Sequence, residues 1–409
     1  MNDGGTKPSG RSRVGLQLDR VLSLRDVRWF ELDWHVLLIA MLLLGLGLVF
    51  LRGMSEADAL AERDPVHSVK FLEHLQKLLL ALPAFLVGLA VRPRWLRRNA
   101  FVIYGVTLLL LVALFAVGSL RNGSRRWIPI PGINFDLQPS ELAKIGVILA
   151  LAQVLYRNRL QRLKDWGPPL VIALVPMGLV MLQPDLGTAM TLAPITLGML
   201  YLAGARAKVI GFFLAGTAVL AVCVVVFQIG VHDYQLQRIE TWRHSFRAAD
   251  LIEARSGPAF HSYQARLAIG NGGVFGKGVG QGVANETGYL PERDCDSVFA
   301  VVAEESGWFG ASLVLFVYAM FIALMMGSAG SLRDRFSRLA VGGVALYFAA
   351  QLFINVGVNL GLVPLTGITL PLFSTGGSSL FTSFLALGLA LGLCAHREPA
   401  LDEDSFRAY

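Results

Sequence analysis

The sequence predicts an all-α integral membrane protein of about ten transmembrane helices, with a large extracytoplasmic loop between helices seven and eight. Three observations lead there. Of 409 residues, 54% are hydrophobic and only 16% charged, and the mean hydropathy is positive, which suits a membrane better than a soluble core. Runs such as WHVLLIAMLLLGLGLVFL (34–51) and FVIYGVTLLLLVALFAVGSL (101–120) reach the roughly 20 residues that cross a hydrocarbon core about 30 Å thick. The basic residues gather between apolar runs, where they act as topology signals.

Apolar runs place helices at 34–51, 71–91, 101–120, 141–156, 168–183, 187–204, 209–230, 297–326, 339–362 and 378–394. About 33 mostly polar residues precede the first run and no small-residue cleavage site follows it, so it does not read as a signal peptide. Arg11, Arg13, Arg20, Arg25 and Arg28 precede helix one; Arg92, Arg94, Arg97 and Arg98 follow helix two; Arg157, Arg159, Arg162 and Lys164 follow helix four. With Arg206 and Lys208 after helix six and Arg333, Arg335 and Arg338 after helix eight, the positive-inside rule puts both termini in the cytoplasm. The chain then divides into a cytoplasmic arm (1–33), a membrane domain (34–395) containing the long outer loop (231–296), and a cytoplasmic tail (396–409).

The net charge of +7 does not point to nucleic acid, because the basic residues carry no interleaved aromatics. Three cysteines support no disulfide framework: Cys223 and Cys394 lie in apolar runs and Cys295 stands apart.

The loop is too long for a simple connection. DYQLQRIETWRHSF (233–246) can form an amphipathic helix on the membrane surface, and the glycines of YQARLAIGNGGVFGKGVGQG (263–282) permit close backbone approach. A nucleotide-binding reading of the latter is weak: no strand precedes it, and Lys277 is not followed by Ser or Thr.

Four polar constellations fall at the outer helix ends. In GSRRWIPIPGINFDLQPSELAKIG (123–146), Ser140 is a candidate N-cap, and Glu141 and Lys144 are spaced to pair on one helical face. An interfacial ion pair explains them as well as a polar cavity does, although ionisable groups in a membrane usually face a cavity. QPDLGT (183–188) leaves Asp185 between two helices, as a turn residue or a site residue. In NVGVNLGLVPLTGITLPLFSTGGSS (355–379), Asn355 and Asn359 share a face, and the prolines and glycines that follow break the backbone, which membrane depth tolerates only against protein or a watery cavity. Last comes YLPERDCDSVFAVVAEESGWFG (289–310), where Asp296 is either a helix cap or a functional acid, and Glu304 and Glu305 read as a buried network.

Cations, carboxylates and broken backbone beside lipid suit a substrate with a lipid tail and a charged head. Arginine matches pyrophosphate, and a nearby aspartate can take a proton from a sugar hydroxyl. A transporter with broken helices has the same features. The motifs RWIPIPGINFDLQPSELAK, QPDLGT, AIGNGGVFGKGVGQG, YLPE with VFAVVAEESGWFG, and GLVPLTGITLPLFSTGGSS occur in the order seen in the SEDS family of RodA, FtsW and SpoVE, which the chain resembles over about 34–395.

The resemblance implies a ten-helix peptidoglycan glycosyltransferase that polymerises lipid II outside the bacterial cytoplasmic membrane, serving elongation or division. It also implies a class B penicillin-binding protein as transpeptidase partner, within a larger elongation or division complex, and its wording is slightly closer to RodA. It makes Asp296 the general base and Arg126, Glu141, Lys144, Asp185, Lys277 and Ser378 substrate-binding residues. Around Asp296 the chain departs from the family: Asp294 stands for histidine, Cys295 for threonine, Ser297 for phenylalanine and Thr375 for tyrosine. No metal-ligand spacing stands out, and Mg²⁺ or Mn²⁺ enters only as an ion that carboxylates near a pyrophosphate can hold. Two alternatives remain at this point: a flippase for lipid-linked precursors, and an inactive scaffold for a transpeptidase.

Overall fold

The structure, a computed structural model, describes residues 21–24, 26–61, 69–121, 124–130, 132, 135–158, 160–211, 240, 242 and 260–396. Most of the seventh predicted helix (209–230) and the amphipathic stretch 233–246 lie outside the described residues.

Among the described residues, eight helices are long and apolar enough to cross a membrane. In chain order the elements are α1 (Trp34–Leu60), α2 (Phe71–Ala90), α3 (Pro93–Val117), β1 (Ser119–Arg121), β2 (Ser124–Pro129), β3 (Asp136–Leu137), α4 (Pro139–Arg157), α5 (Gly167–Leu182) and α6 (Leu186–Leu202). After the long connection come α7 (Phe260–Asn271), α8 (Val283–Thr287), α9 (Val298–Ser331), α10 (Arg335–Asn359) and α11 (Gly377–Ala395). Helices α4, α10 and α11 form the buried centre, whereas α2 and α3 turn apolar side chains such as Leu79, Phe101 and Leu109 outward. Helices α2 and α11 approach backbone to backbone, since a methyl on Gly388 would lie 2.2 Å from the Phe85 carbonyl oxygen, the small-residue contact that membrane helices favour.

Several expected boundaries move. Helix α3 begins at Pro93, whose fixed φ and missing N–H suit the first helical turn, so Arg94, Arg97 and Arg98 lie on the helix and not in a loop. Helix α1 continues to Leu60 through good helix formers and an Arg52–Glu56 pair at 2.8 Å, nine residues past its apolar run. Ser140 is not an N-cap: Pro139 already occupies the first turn and Gln138 is the cap residue. Asp296 is not one either, because the α9 cap position falls on Ser297. The three-stranded antiparallel sheet β1-β2-β3 was not expected, its pairings being too short to leave a period in the sequence.

The GNGGVFGKG stretch has a structural explanation. Gly307 has φ 69° and ψ −171° inside α9, which breaks the helical hydrogen-bond ladder there. Lys277 N–H donates to the Glu304 carbonyl at 3.1 Å and Gly278 N–H to that of Glu305 at 2.9 Å. In return Trp308 and Phe309 donate to the carbonyls of Gly273 and Val274 at 2.9 and 3.1 Å. The loop thus satisfies the backbone groups the break exposes, the condition for irregular backbone at membrane depth. Gly276 must be glycine there: it has φ 80°, and a Cβ would meet the Glu305 carbonyl oxygen at 2.1 Å.

The basic loops meet at the bundle end remote from Asp296. Arg335 donates to the Asn158 and Ala203 carbonyls at 3.1 and 3.0 Å, and Arg97 approaches Asp334 at 3.9 Å.

Candidate functional site

The turn before α9 is tight, with Cys295 and Ser297 N–H both donating to the Glu292 carbonyl at 3.0 and 3.1 Å. Two neighbours hold it. From α10, Asn355 and Asn359 each donate a side-chain amide to the Asp296 carbonyl at 2.9 Å, so their four-residue spacing sets both on one backbone oxygen. From the broken segment 360–376, Thr375 N–H donates to the Asp294 carbonyl at 3.0 Å, Thr375 Oγ1 donates to Asp294 Oδ2 at 2.7 Å, and Ser374 Oγ donates to the Cys295 carbonyl at 2.6 Å. The Asp296 carboxylate sits beside Gly367, where a methyl group would lie 3.4 Å from Oδ2.

The substituted neighbours therefore contact one another. Thr375 Oγ1 reaches Asp294 and also lies 3.0 Å from Cys295 Sγ. Burial, with the nearby carboxylates of Asp294 and Asp296, pushes the Cys295 thiol pKa well up, so the turn carries a neutral thiol.

Asp185 is an N-cap for α6 and more. It accepts from Thr188 N–H at 3.2 Å, Thr188 Oγ1 at 2.9 Å and Ser140 Oγ at 3.1 Å in a buried setting, and from the part-buried Gln138 Nε2 at 3.1 Å. Gln138 N–H in turn donates to Ser378 Oγ at 2.8 Å, which ties the start of α4 to the start of α11. Arg126, on β2, donates to the carbonyls of Gln183 and Pro184, clamping the α5–α6 turn. Gly187 packs against the Thr366 carbonyl, 2.5 Å from where its Cβ would be. Through these links the four sequence constellations converge on one end of the bundle.

Glu141 and Lys144 do pair, at 2.6 Å, with the lysine wholly buried and its ammonium 5.3 Å from the Tyr347 ring centre. Lys277 is placed by its backbone and its side chain is exposed. Of the predicted binding residues, Asp185 and Ser378 thus accept hydrogen bonds from within the protein.

Sequence reasoning missed two groups. Arg293 makes a buried ion pair with Asp58 near the end of α1, its Nη2 donating to both carboxylate oxygens, and its Nη1 donates to the carbonyl of Asn285, whose amide donates to Glu305. Glu304 accepts from Ala284 N–H at 3.0 Å, so both glutamates anchor α8, in line with the network reading. The other is His261 on α7, whose Nε2 lies 2.5 Å from Ser297 Oγ. Nothing in the spacing of either pair reveals it, because the partners are 235 and 36 residues apart.

Glu292, Asp294 and Cys295 are a possible metal cluster among the described residues, with donor atoms within 4.8 Å of one another. They do not fit Mg²⁺ or Mn²⁺, which want oxygen donors: one of the three is a thiol held protonated, and Thr375 already engages two of them.

A mostly helical bundle with eight candidate spans among the described residues, whose polar residues gather round a broken segment at one end, is a multi-pass membrane protein with a polar site at that end. The chain belongs to the FtsW/RodA/SpoVE family of cell cycle proteins, whose family model matches residues 33–398. It is 34% identical over 323 residues to the peptidoglycan glycosyltransferase MrdB of Escherichia coli (strain K12), covering 78% of this chain and 84% of that protein. It is 36% identical over 383 residues to the probable peptidoglycan glycosyltransferase FtsW of Thiomicrospira cyclica, covering 90% and 92%. Its fold is similar to a chain from a solved peptidoglycan synthase complex, with TM-score 0.74 and 29% identity over 91% of this chain and all of the other. It is also similar to the rod shape determining protein RodA of Thermus thermophilus, with TM-score 0.66 and 30% identity over 91% of this chain and 99% of the other.

Proposed function

We propose that this protein is a peptidoglycan glycosyltransferase that polymerises lipid II at the outer face of the bacterial cytoplasmic membrane, with Asp296 as general base. The observation that carries the assignment of Asp296 is its mounting. Two asparagines fix its carbonyl, and three of the residues that differ from the family pattern, Asp294, Cys295 and Thr375, contact one another. An inactive scaffold would have no need of that mounting. The enzyme class rests on relatives bearing that name over most of the chain.

In the reaction, a sugar hydroxyl attacks the anomeric carbon of a second lipid-linked sugar. The new C–O bond forms as the bond to the polyprenyl pyrophosphate breaks, and the hydroxyl proton passes to the Asp296 carboxylate. The pyrophosphate leaves as an anion, so a strong general acid is unnecessary. Arg126 is well placed to hold the turn that borders this space, and the Glu141–Lys144 pair lends a balanced polar lining deeper in the bundle.

The orientation we propose puts both termini and the arginine-rich ends of α3 and α10 in the cytoplasm, in keeping with the positive-inside rule. The long connection 231–296 is then extracytoplasmic. A class B penicillin-binding protein is the proposed partner, supported by the similarity to a chain of a peptidoglycan synthase complex.

The test is glycan polymer formation from purified lipid II, with and without the cognate transpeptidase. Asp296→Ala is expected to abolish polymer while the protein stays folded and membrane-inserted; unchanged polymerisation would remove the base assignment. Lipid flux across vesicles without any polymer from the wild type would favour a flippase.

A further inference from the structure

We infer that His261 is a positioning residue for the Asp296 turn, acting from α7 through the hydroxyl of Ser297. The inference rests on the reading of Asp296 as the base. Ser297 is 1% exposed and directly follows Asp296, at the position that starts α9. Its backbone is fully used: the N–H donates to Glu292, and the carbonyl accepts from Ala300 and Val301 at 2.9 and 3.3 Å. Its hydroxyl makes no capping bond to α9 and is shared instead with His261 Nε2 at 2.5 Å.

The two sides of the peptide carrying Asp296 are therefore held by different elements. Its carbonyl is fixed by Asn355 and Asn359 from α10, and the residue that follows is fixed by His261 from α7. Removing the asparagines frees the turn to rotate about Ser297; removing the imidazole frees it to slide along α10. Either motion displaces the carboxylate, and misplacement of about 1 Å can cost as much as a hundredfold in rate.

The residue type at 297 makes this device particular to this chain. Where the family has phenylalanine, an apolar ring would hold the position by packing, and a histidine opposite it would have no hydroxyl to bond. Serine is too small to fill that role and needs a polar partner at burial, which His261 supplies. Helix α7 is itself packed beside the site: Arg266 Cδ, Nε and Cζ lie 3.2–3.3 Å from where a Gly361 Cβ would stand, and Arg266 Nε donates to the Ser262 carbonyl at 3.2 Å. The imidazole is thus delivered by a helix that is packed at a second point, one turn along.

The experiment uses the full chain with its transpeptidase, purified lipid II as substrate, and steady-state polymerisation rates alongside thermal melting. His261→Ala is expected to lower kcat about tenfold with KM for lipid II within twofold, since the lost contact orients the base and does not bind substrate. Glutamine can carry an amide to the position of Nε2, whereas asparagine is too short. His261→Gln should therefore recover kcat to within about threefold of wild type and His261→Asn should not. Ser297→Ala should match His261→Ala, and the double variant should be no slower than either single one, because both remove the same bond.

Wild-type kcat in His261→Ala overturns the inference, as does a glutamine variant no better than asparagine at equal melting temperature, or losses that multiply in the double variant. Should alanine prevent folding, the glutamine–asparagine comparison decides alone. Asp296→Ala run in parallel separates the two levels: an active Asp296→Ala removes the reading beneath, while an inactive one beside an unimpaired His261→Ala removes only this inference.

Discussion

Asn359 donates its side-chain amide to the backbone carbonyl of Asp296 at 2.9 Å, and in doing so fastens α10 to the turn that opens α9. Asn355, one helical turn earlier, donates to the same oxygen and to the Ile368 carbonyl at 2.7 Å. One side chain thus joins the turn to the broken segment that lines it.

Replacing Asn355 with leucine removes the amide that donates to the buried Ile368 carbonyl, worth about 1–3 kcal/mol if left unsatisfied, and leaves the Asp296 carbonyl to Asn359. We expect a lower melting temperature and a loss of lipid II polymerisation larger than the loss of folded protein. Asn359→Leu should be milder in stability, because Asn355 still holds the Asp296 carbonyl. Differential scanning fluorimetry with a polymerisation assay separates the two effects.

Thr375→Val keeps the shape of the side chain and removes the hydroxyl that contacts both Asp294 and Cys295. A cost of about 1 kcal/mol is expected for the lost hydrogen bond, read as a drop in melting temperature. The contact between Thr375 and Asp294 makes the two positions neighbours, so the residues that the family resemblance puts there are best exchanged together. Thr375→Tyr combined with Asp294→His should therefore be more active than either single change, and a double variant worse than both would show the pair to be independent.

Asp185→Asn turns an acceptor with four donors into a group with a competing NH₂. The expected outcome is structural, a destabilisation of about 1–3 kcal/mol, with activity falling in step with folded protein. Asp296→Ala should do the opposite, losing activity at unchanged melting temperature. Circular dichroism melts of the two variants in the same detergent check the contrast.

The Cys295 thiol, with its pKa pushed up by burial and the carboxylates beside it, should remain protonated at pH 8 and alkylate slowly compared with a free cysteine. Because the folded state favours the neutral thiol, its contribution to stability is complete below the ordinary thiol pKa and is lost as pH rises through the folded value. Asp294→Asn removes one of the repelling charges, so maleimide labelling should speed up and its midpoint should move to lower pH. Labelling rates from pH 7 to 10, followed by mass spectrometry, report both.

Much of this was legible in the chain. Eight apolar spans, the Glu141–Lys144 pair and the placing of Asp185 at a helix junction follow from period and spacing, since i, i+3 neighbours meet on any helix. The break in α9 at Gly307 falls inside what reads as a single span (297–326), since one glycine in a helical run does not by itself mark a break, and the glycine loop that seals it carried no sign of its partner, because backbone hydrogen bonds leave no residue preference beyond glycine itself. Ser140 misled because a serine before a glutamate resembles a cap, while proline had already set the helix start.

By itself the sequence determined the membrane class, the spans and the acids at their ends, through hydropathy and local spacing, which depend only on neighbouring residues. The tertiary structure alone decided what each acid touches. Asp185 accepts hydrogen bonds from the start of α4 and from α6, and Asp296 sits on a turn held by α7, α10 and the broken segment. Apart from Thr188, those partners lie 36 to 79 residues away, and a hydrogen bond acts over about 3 Å of space with no memory of separation along the chain.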